Sequence, residues 1–235
     1  MAEKPALSAA RAKAKASAKA NPPQVAVAFR FDGKNVKAQK VAKAAGAKLV
    51  TSVTDETRAA IRTVITKAIR EGIHPYEAAK SIVGILSTPG ATTNAMPGMA
   101  GLNTPQVLAA FNYKAGLIDV GHDPKTVDRL MGKYVTRKLN ERSVMIARTE
   151  TMAALNLGAE VGYIQASKQG MLPPEARLVW LTTPDERLCV RCAPMNGETK
   201  QIGAGTTFSD GSTGPPKHPK CRCSVGIAMA PGGQA

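Results

Sequence analysis

Four cysteines and one histidine carry the clearest chemistry in this sequence. Cys189 and Cys192 form a Cys-x-x-Cys pair, and the run His218-Pro219-Lys220-Cys221-Arg222-Cys223 follows downstream. Thiolate and imidazole are the donors that Zn²⁺ prefers, and it takes four of them in a tetrahedron. A Cys-x-x-Cys turn presents two sulfurs from one tight bend, and a second segment closes the site. Five donors for four places leave one over. Cys189, Cys192, His218 and Cys221 are the first choice, with Cys223 able to replace either of the last two. The expected zinc is structural: five donors fill a closed site readily, few general-base candidates lie near it, and no second ligand cluster exists. No enzymatic turnover is expected. All four cysteines fall between positions 189 and 223, and in a chain made in a cytoplasm such clustering favours metal ligation over disulfides.

The elements that must position these donors read as follows. Arg177 to Thr183 alternates as a strand, and Ser224 to Ala228 offers it a partner beyond the cysteines. The surrounding module is rich in Gly and Pro and has little apolar core of its own, so a metal gives it the cohesion it lacks. Upstream the pattern is helical. Thr54 suits an N-cap, Asp55 and Glu56 suit the positive end of a helix dipole, and Ile61, Val64, Ile65, Ala68 and Ile69 recur at helical spacing up to Gly72. His74-Pro75 starts a second helix with Tyr76, Ala79, Val83 and Leu86 on one side, His74 itself reading as a turn residue. Residues 87–104 form an exposed loop of unusual length. Thr104-Pro105 opens a third helix with Leu108, Phe111, Ala115 and Ile118 in register. After a loop holding His122, Asp123-Pro124 opens a fourth through Val127, Leu130, Met131 and Tyr134. A long helical stretch from about Thr136 to Gln169 is closed by Gly170 and Pro173-Pro174.

The fold class is therefore α+β: a helical N-terminal body followed by a small zinc-stabilised β-rich C-terminal module. The expected domains are a basic flexible arm over 1–23, a mainly helical domain over 24–171, and the Cys/His metal-binding module over 172–235. Within the second, Val25 to Phe31 reads as a short strand and Asn35 to Val50 as a helix.

Charge is concentrated at the start of the chain. Of a net +15, residues 1–50 hold eleven Lys/Arg against Glu3 and Asp32. Lys4, Arg11, Lys13, Lys15 and Lys19 of the arm are candidates for contact with nucleic acid or an acidic partner, through phosphate neutralisation and counterion release. With 4% aromatic residues and no Arg-rich recognition helix, such binding is expected to ignore base sequence. No membrane span or secretion signal is apparent, so a soluble chain is expected.

A second constellation is Ile146-Ala147-Arg148-Thr149-Glu150-Thr151, with Asn156 and Gly158 beyond it. At helical spacing Arg148 and Thr151 share a side and Glu150 turns away, so the two charges can reach different partners, such as Asp185 or Arg187. From spacing alone this is an ordinary helix surface.

Together these motifs resemble the phage Mu F-like family, the minor head or head-morphogenesis proteins of tailed phages. The resemblance lies in the order and spacing of Ile146 to Glu150 with Asn156 and Gly158, Trp180 before Asp185-Glu186-Arg187, the Cys189/Cys192 pair, and Pro215 to Cys223. Gly101 to Gln106 and Asn112-Tyr113 also resemble the family's helical segment. Leu188 stands where the family often has Thr, and Val190-Arg191 replaces a more usual Pro, without touching a candidate ligand. The resemblance implies an assembly protein of few copies at the portal vertex or inside the capsid. Its implied partners are the portal protein, the major capsid or scaffolding protein, and packaged DNA. Its implied place is the virion head, assembled in the bacterial host cytoplasm. Without the resemblance, the residues describe a zinc-stabilised, non-sequence-specific nucleic-acid-binding protein.

Overall fold

The computed structural model describes residues 50–229 except 52, 94–98, 184 and 186, together with the single positions 9, 12, 16 and 40. The expected strand from Val25 to Phe31 lies outside the described residues, as does nearly all of the expected helix from Asn35. The described part contains four helices, α1 (Asp55–Glu71), α2 (Pro75–Ser87), α3 (Thr104–Asp119) and α4 (Pro124–Lys168), then strands β1 (Arg177–Leu181), β2 (Thr199–Gln201) and β3 (Ser224–Ala228). It falls into two compact units that meet between Thr151 and Met152. None of its helices is long and apolar enough to cross a membrane.

In the first unit, local signals set the helix ends. The Thr54 hydroxyl accepts the Thr57 N–H at 3.3 Å, satisfying a donor that the first turn leaves free. Gly72 ends α1 at φ 67°, and its N–H returns to the Ala68 and Ile69 carbonyls, a left-handed cap that glycine adopts without a Cβ clash. Ile61, Ile65 and Ala68 of α1 are buried against Ala78, Ala79, Ile82 and Leu86 of α2. His74 is more than a turn residue: it caps α2, its Nδ1 accepting the Tyr76 N–H at 3.3 Å. Tyr76 does not join the inner face. It is 51% exposed and stacks on the His74 ring at the helix entrance.

Helix α3 begins with a reciprocal cap, Asn103 Oδ1 accepting from Gln106 N–H and Gln106 Oε1 accepting from Asn103 N–H. The Gln106 amide also donates to the Lys138 carbonyl of α4 at 3.2 Å. That orientation buries Val107, Ala110 and Leu117. The row expected to face inward is the outer one, with Leu108, Phe111 and Ile118 exposed. The two rows lie one residue apart, and apolar periodicity does not choose between them; small Ala110 and the Gln106 anchor do.

A further correction concerns residues 124–168. The expected fourth helix and the long stretch after it are one helix of 45 residues, because nothing between Tyr134 and Thr136 interrupts the backbone. Val127, Met131, Leu139, Ile146 and Ala147 of α4 join the same core as α1 to α3.

The loop before α3 is not simply exposed either. Ala91, Thr92, Met99 and Leu102 are buried. Gly101, at φ 80°, sits where a Cβ would lie 2.8 Å from the Leu86 carbonyl oxygen, so the close approach requires glycine. Its own carbonyl accepts a hydrogen bond from Arg142 Nη1, whose Nη2 donates to the Thr51 carbonyl, both at 2.5 Å. Arg142 is buried on α4, and burial lowers its pKa to about 10, which leaves it charged at neutral pH. A buried guanidinium thus fastens two chain segments that have no regular structure of their own.

The second unit has an open antiparallel sheet in the order β2-β1-β3. The expected pairing of Arg177 onward with Ser224 to Ala228 is present, Leu178 facing Ile227 and Trp180 facing Val225. Leu178, Val179 and Trp180 are buried in succession, so β1 is covered on both faces rather than alternating. β2 was not expected: Thr199-Lys200-Gln201 has no apolar signature, and its pairing partners lie some twenty residues away.

Candidate metal centre

Two turns deliver the donors. In the first, the Cys192 and Ala193 N–H groups return to the Cys189 carbonyl at 3.1 and 3.0 Å, which brings Cys189 and Cys192 together. In the second, the Cys221 N–H returns to the His218 carbonyl at 3.2 Å, with Lys220 at φ 65° completing the bend. The donor atoms form two groups that share Cys192: Cys189, Cys192 and His218, and Cys192, Cys221 and Cys223, the members of each lying within 4.8 Å of one another. Cys192, Cys221 and Cys223 are buried and Cys189 is half-buried; none forms a disulfide.

The arrangement can hold a metal ion. Cys192 Sγ and Cys221 Sγ are 3.8 Å apart, matching the edge of roughly 3.8 Å in a tetrahedron built on ~2.3 Å metal–sulfur bonds. His218 Nε2 lies 3.1 Å from the Cys189 sulfur and 3.2 Å from that of Cys192. Nδ1 of the same ring donates to the Pro219 carbonyl at 2.7 Å, leaving the Nε2 lone pair turned to both sulfurs. One lone pair can accept a proton from only one thiol, whereas a single cation satisfies all three atoms. An imidazole fixed through its other nitrogen is also the usual setting of a metal-binding histidine.

The sulfurs compete for protons in the same way. Hydrogen bonding with Cys192, then Cys223, draws Cys221 far toward the thiolate, while Cys221, then Cys223, pushes Cys192 up. A divalent cation removes that conflict by stabilising every thiolate together. Cys192 lowers the Cys223 thiol, but Cys221 and burial outweigh it and push the thiol up to about 11; the buried Trp180 indole N–H makes no hydrogen bond among the described residues. Trp180, Leu188, Met195 and Phe208 surround the sulfurs, with Phe208 edge-on to Trp180 at 5.2 Å.

Groups around the donors fix their main chain. Asn156, on α4, donates through Nδ2 to the Cys223 carbonyl at 3.0 Å and accepts the Val225 N–H at 3.2 Å. One side-chain amide thus meets the backbone groups on either side of Ser224 as a neighbouring strand would. Asp185 receives both terminal nitrogens of Arg222, at 2.5 and 2.6 Å, and Arg187 approaches it at 3.7 Å. The Arg222 fork holds the Asp185 carboxyl well below the usual carboxylate range. This pair joins the chain before Cys189 to the Cys221–Cys223 segment. Arg148 is exposed, whereas Thr149 and Glu150 are buried, so this stretch of α4 is not an ordinary helix surface. Lys4, Arg11, Lys13, Lys15 and Lys19 lie outside the described residues.

One central group escapes sequence reading altogether. Lys200 is 5% exposed, and its Nζ binds Glu160 Oε1 at 2.6 Å and the Thr206 and Thr213 carbonyls at 3.2 and 2.5 Å. It also lies over the Phe208 ring. The ammonium gathers a long irregular segment beside the metal-binding turns, and only its place inside a short strand could have signalled that.

Apolar side chains pack against the buried sulfurs of Cys192, Cys221 and Cys223, while Cys189 and His218 are half-buried. No curated protein and no solved structure was found to match the chain. The profile of one family, described as Phage Mu protein F like protein, matches residues 59–226, a span that begins within α1, ends within β3 and includes every candidate ligand. The chain belongs to the Phage Mu protein F like family.

Proposed function

We propose that this chain is a phage minor head protein with a structural, non-enzymatic part in head morphogenesis, at the portal vertex or inside the capsid. The observation that carries the reading is the family match across 59–226, supported by a donor cluster built for cohesion rather than turnover. A structural Zn²⁺ fits that cluster, held by Cys189, Cys192, His218 and Cys221, because the recorded donor contacts link these four in sequence. Cys223, beside Trp180, is the reserve donor. When bound, the ion supplies a tetrahedral cross-link between the two turns. The chain's own residues orient it: Pro219 fixes the imidazole, Asn156 fixes the Cys223 backbone, and Arg222 ties down the turn at Asp185.

Within this reading the portal protein and the major capsid or scaffolding protein are the partners. The lysine-rich arm, from Lys4 to Lys19, meets packaged DNA without sequence preference or an acidic protein surface. The setting is the virion head, formed in the bacterial cytoplasm. Heads assembled with the chain present should contain it at low copy number, located near the portal by imaging of particles. Normal yields of DNA-filled heads in its absence would overturn the assembly role.

A further inference from the structure

Helix α4 carries an exposed row of cations outside the arm and far in sequence from the metal ligands. Lys125, Arg129, Lys133 and Arg137 stand four residues apart and are all exposed. At ~1.5 Å of rise per residue they form a gently slanting line about 18 Å long. Among the described residues, Lys125, Arg129 and Lys133 make no ion pair, although Asp128 lies between them. Arg137 reaches Glu141 only at 3.9 Å and leans on the Tyr134 ring.

This row works against its own helix. Like charges at four-residue spacing repel, and Lys125 occupies the first turn, where the helix dipole disfavours a cation. Asp123 caps the helix, its carboxylate accepting the Thr126 N–H at 3.1 Å, and no acidic residue stands within the first turn itself. Residues that break local rules without an internal return point to an external ligand. The row on one side is Asp128, Gly132, Thr136 and Asn140, exposed and without an apolar residue, and the row on the other, Thr126, Leu130, Tyr134 and Lys138, is only half-exposed; lysine, two of the four cations, is depleted in protein interfaces. A duplex, by contrast, presents roughly ten phosphates over 18 Å of its axis.

We propose that Lys125, Arg129, Lys133 and Arg137 of α4 form a binding surface for the phosphate backbone of duplex DNA, separate from the N-terminal arm. Lysine and arginine heads neutralise phosphates and release counterions, a contact that carries no sequence information in itself. It rests on the DNA-facing half of the proposed function and assigns that contact to a folded element.

The test is titration of the purified full chain with a short mixed-sequence duplex across a salt series from about 50 to 200 mM. The wild type should show a steep salt dependence. Replacing the four cations by alanine, which favours the helix, should make the log–log slope shallower by about 3 to 4 and weaken binding at the low-salt end by at least ~10-fold. Far-UV circular dichroism should be unchanged, and Lys125→Arg/Lys133→Arg should retain the wild-type slope. Alanine at Lys4, Arg11, Lys13, Lys15 and Lys19 should remove a separate share. An unchanged slope in the α4 variant, beside a wild type that binds, would overturn this surface and leave the arm standing. So would a variant that binds DNA normally but loses retention on polyglutamate, which would assign the row to an acidic protein. A wild type that ignores duplex DNA would remove the arm's DNA contact as well.

Discussion

The two compact units solve the same cohesion problem with different materials. In the unit ending at Thr151, aliphatic side chains from four helices and two irregular segments form one continuous core, with Ile61, Ile82, Leu86 and Leu102 fully enclosed. In the unit that follows, the buried apolar residues divide into two smaller groups, one of them centred on three cysteine sulfurs. A buried ammonium, Lys200, and a half-buried Arg222–Asp185 pair hold the loops around it. Where long helices present continuous faces, hydrocarbon burial forms one core and Arg142 fastens two irregular segments beside it; where strands of three to five residues alternate with Gly- and Pro-rich loops, directional bonds take a larger share.

Metal removal is the strongest way to break this comparison. A structural zinc stabilises small modules by ~10–16 kcal/mol at neutral pH, so chelation, or Cys192→Ser, should unfold the second unit and leave the first. Trp180 is the single tryptophan of the chain and packs against the sulfurs. Its emission should shift to the red while most of the helical circular dichroism persists. Emission indifferent to chelator would mean that the sulfurs cohere without an ion.

The converse change acts on the first unit. Ile82 is fully buried between helices, and Ile82→Ala should cost about 2–5 kcal/mol through lost burial and the cavity left behind. Urea unfolding followed by circular dichroism should register that loss, with Trp180 fluorescence and zinc stoichiometry unaffected. Parallel loss of both signals would show that the units do not unfold separately.

The smallest expected effect sharpens the account of the second unit. Asp210 is held at a pKa of about 2, first by Lys217 and then by Ser212. Because folding favours its ionised form, its contribution is complete above the ordinary value of 3.8 and disappears as pH falls toward 2. The stability difference between the wild type and Asp210→Asn should therefore narrow across that interval. A constant difference down to pH 2 would assign the effect to packing instead.

The two kinds of cohesion were unequally legible in the sequence. Cys189, Cys192, His218, Cys221 and Cys223 announce themselves because donor type and spacing are local properties. Thr54 and Gly72 do so for the same reason, since a cap concerns one turn. The rotation of α3 was not legible: Val107 and Leu108 are both apolar, and the choice between them rests on Gln106 reaching a carbonyl of α4. Nor was the burial of Leu102, next to Gly101, whose carbonyl Arg142 meets across forty-one positions, or that of Ala91, whose carbonyl accepts the Thr54 N–H. Lys200 was invisible because a lysine is read as solvated until its acceptors, Glu160 and two distant carbonyls, are known.

The overlap of the two donor groups at Cys192 bears on how a bound metal would leave. With four donors, each bond that breaks opens a coordination position to water. Here a fifth donor, the sulfur of Cys223, stands within 4.8 Å of those of Cys192 and Cys221, so one ligand could be exchanged for another before a bound ion is exposed. Such a site combines slow release with tolerance of a single damaged thiol, and Cys192, common to both groups, is the position where that tolerance ends.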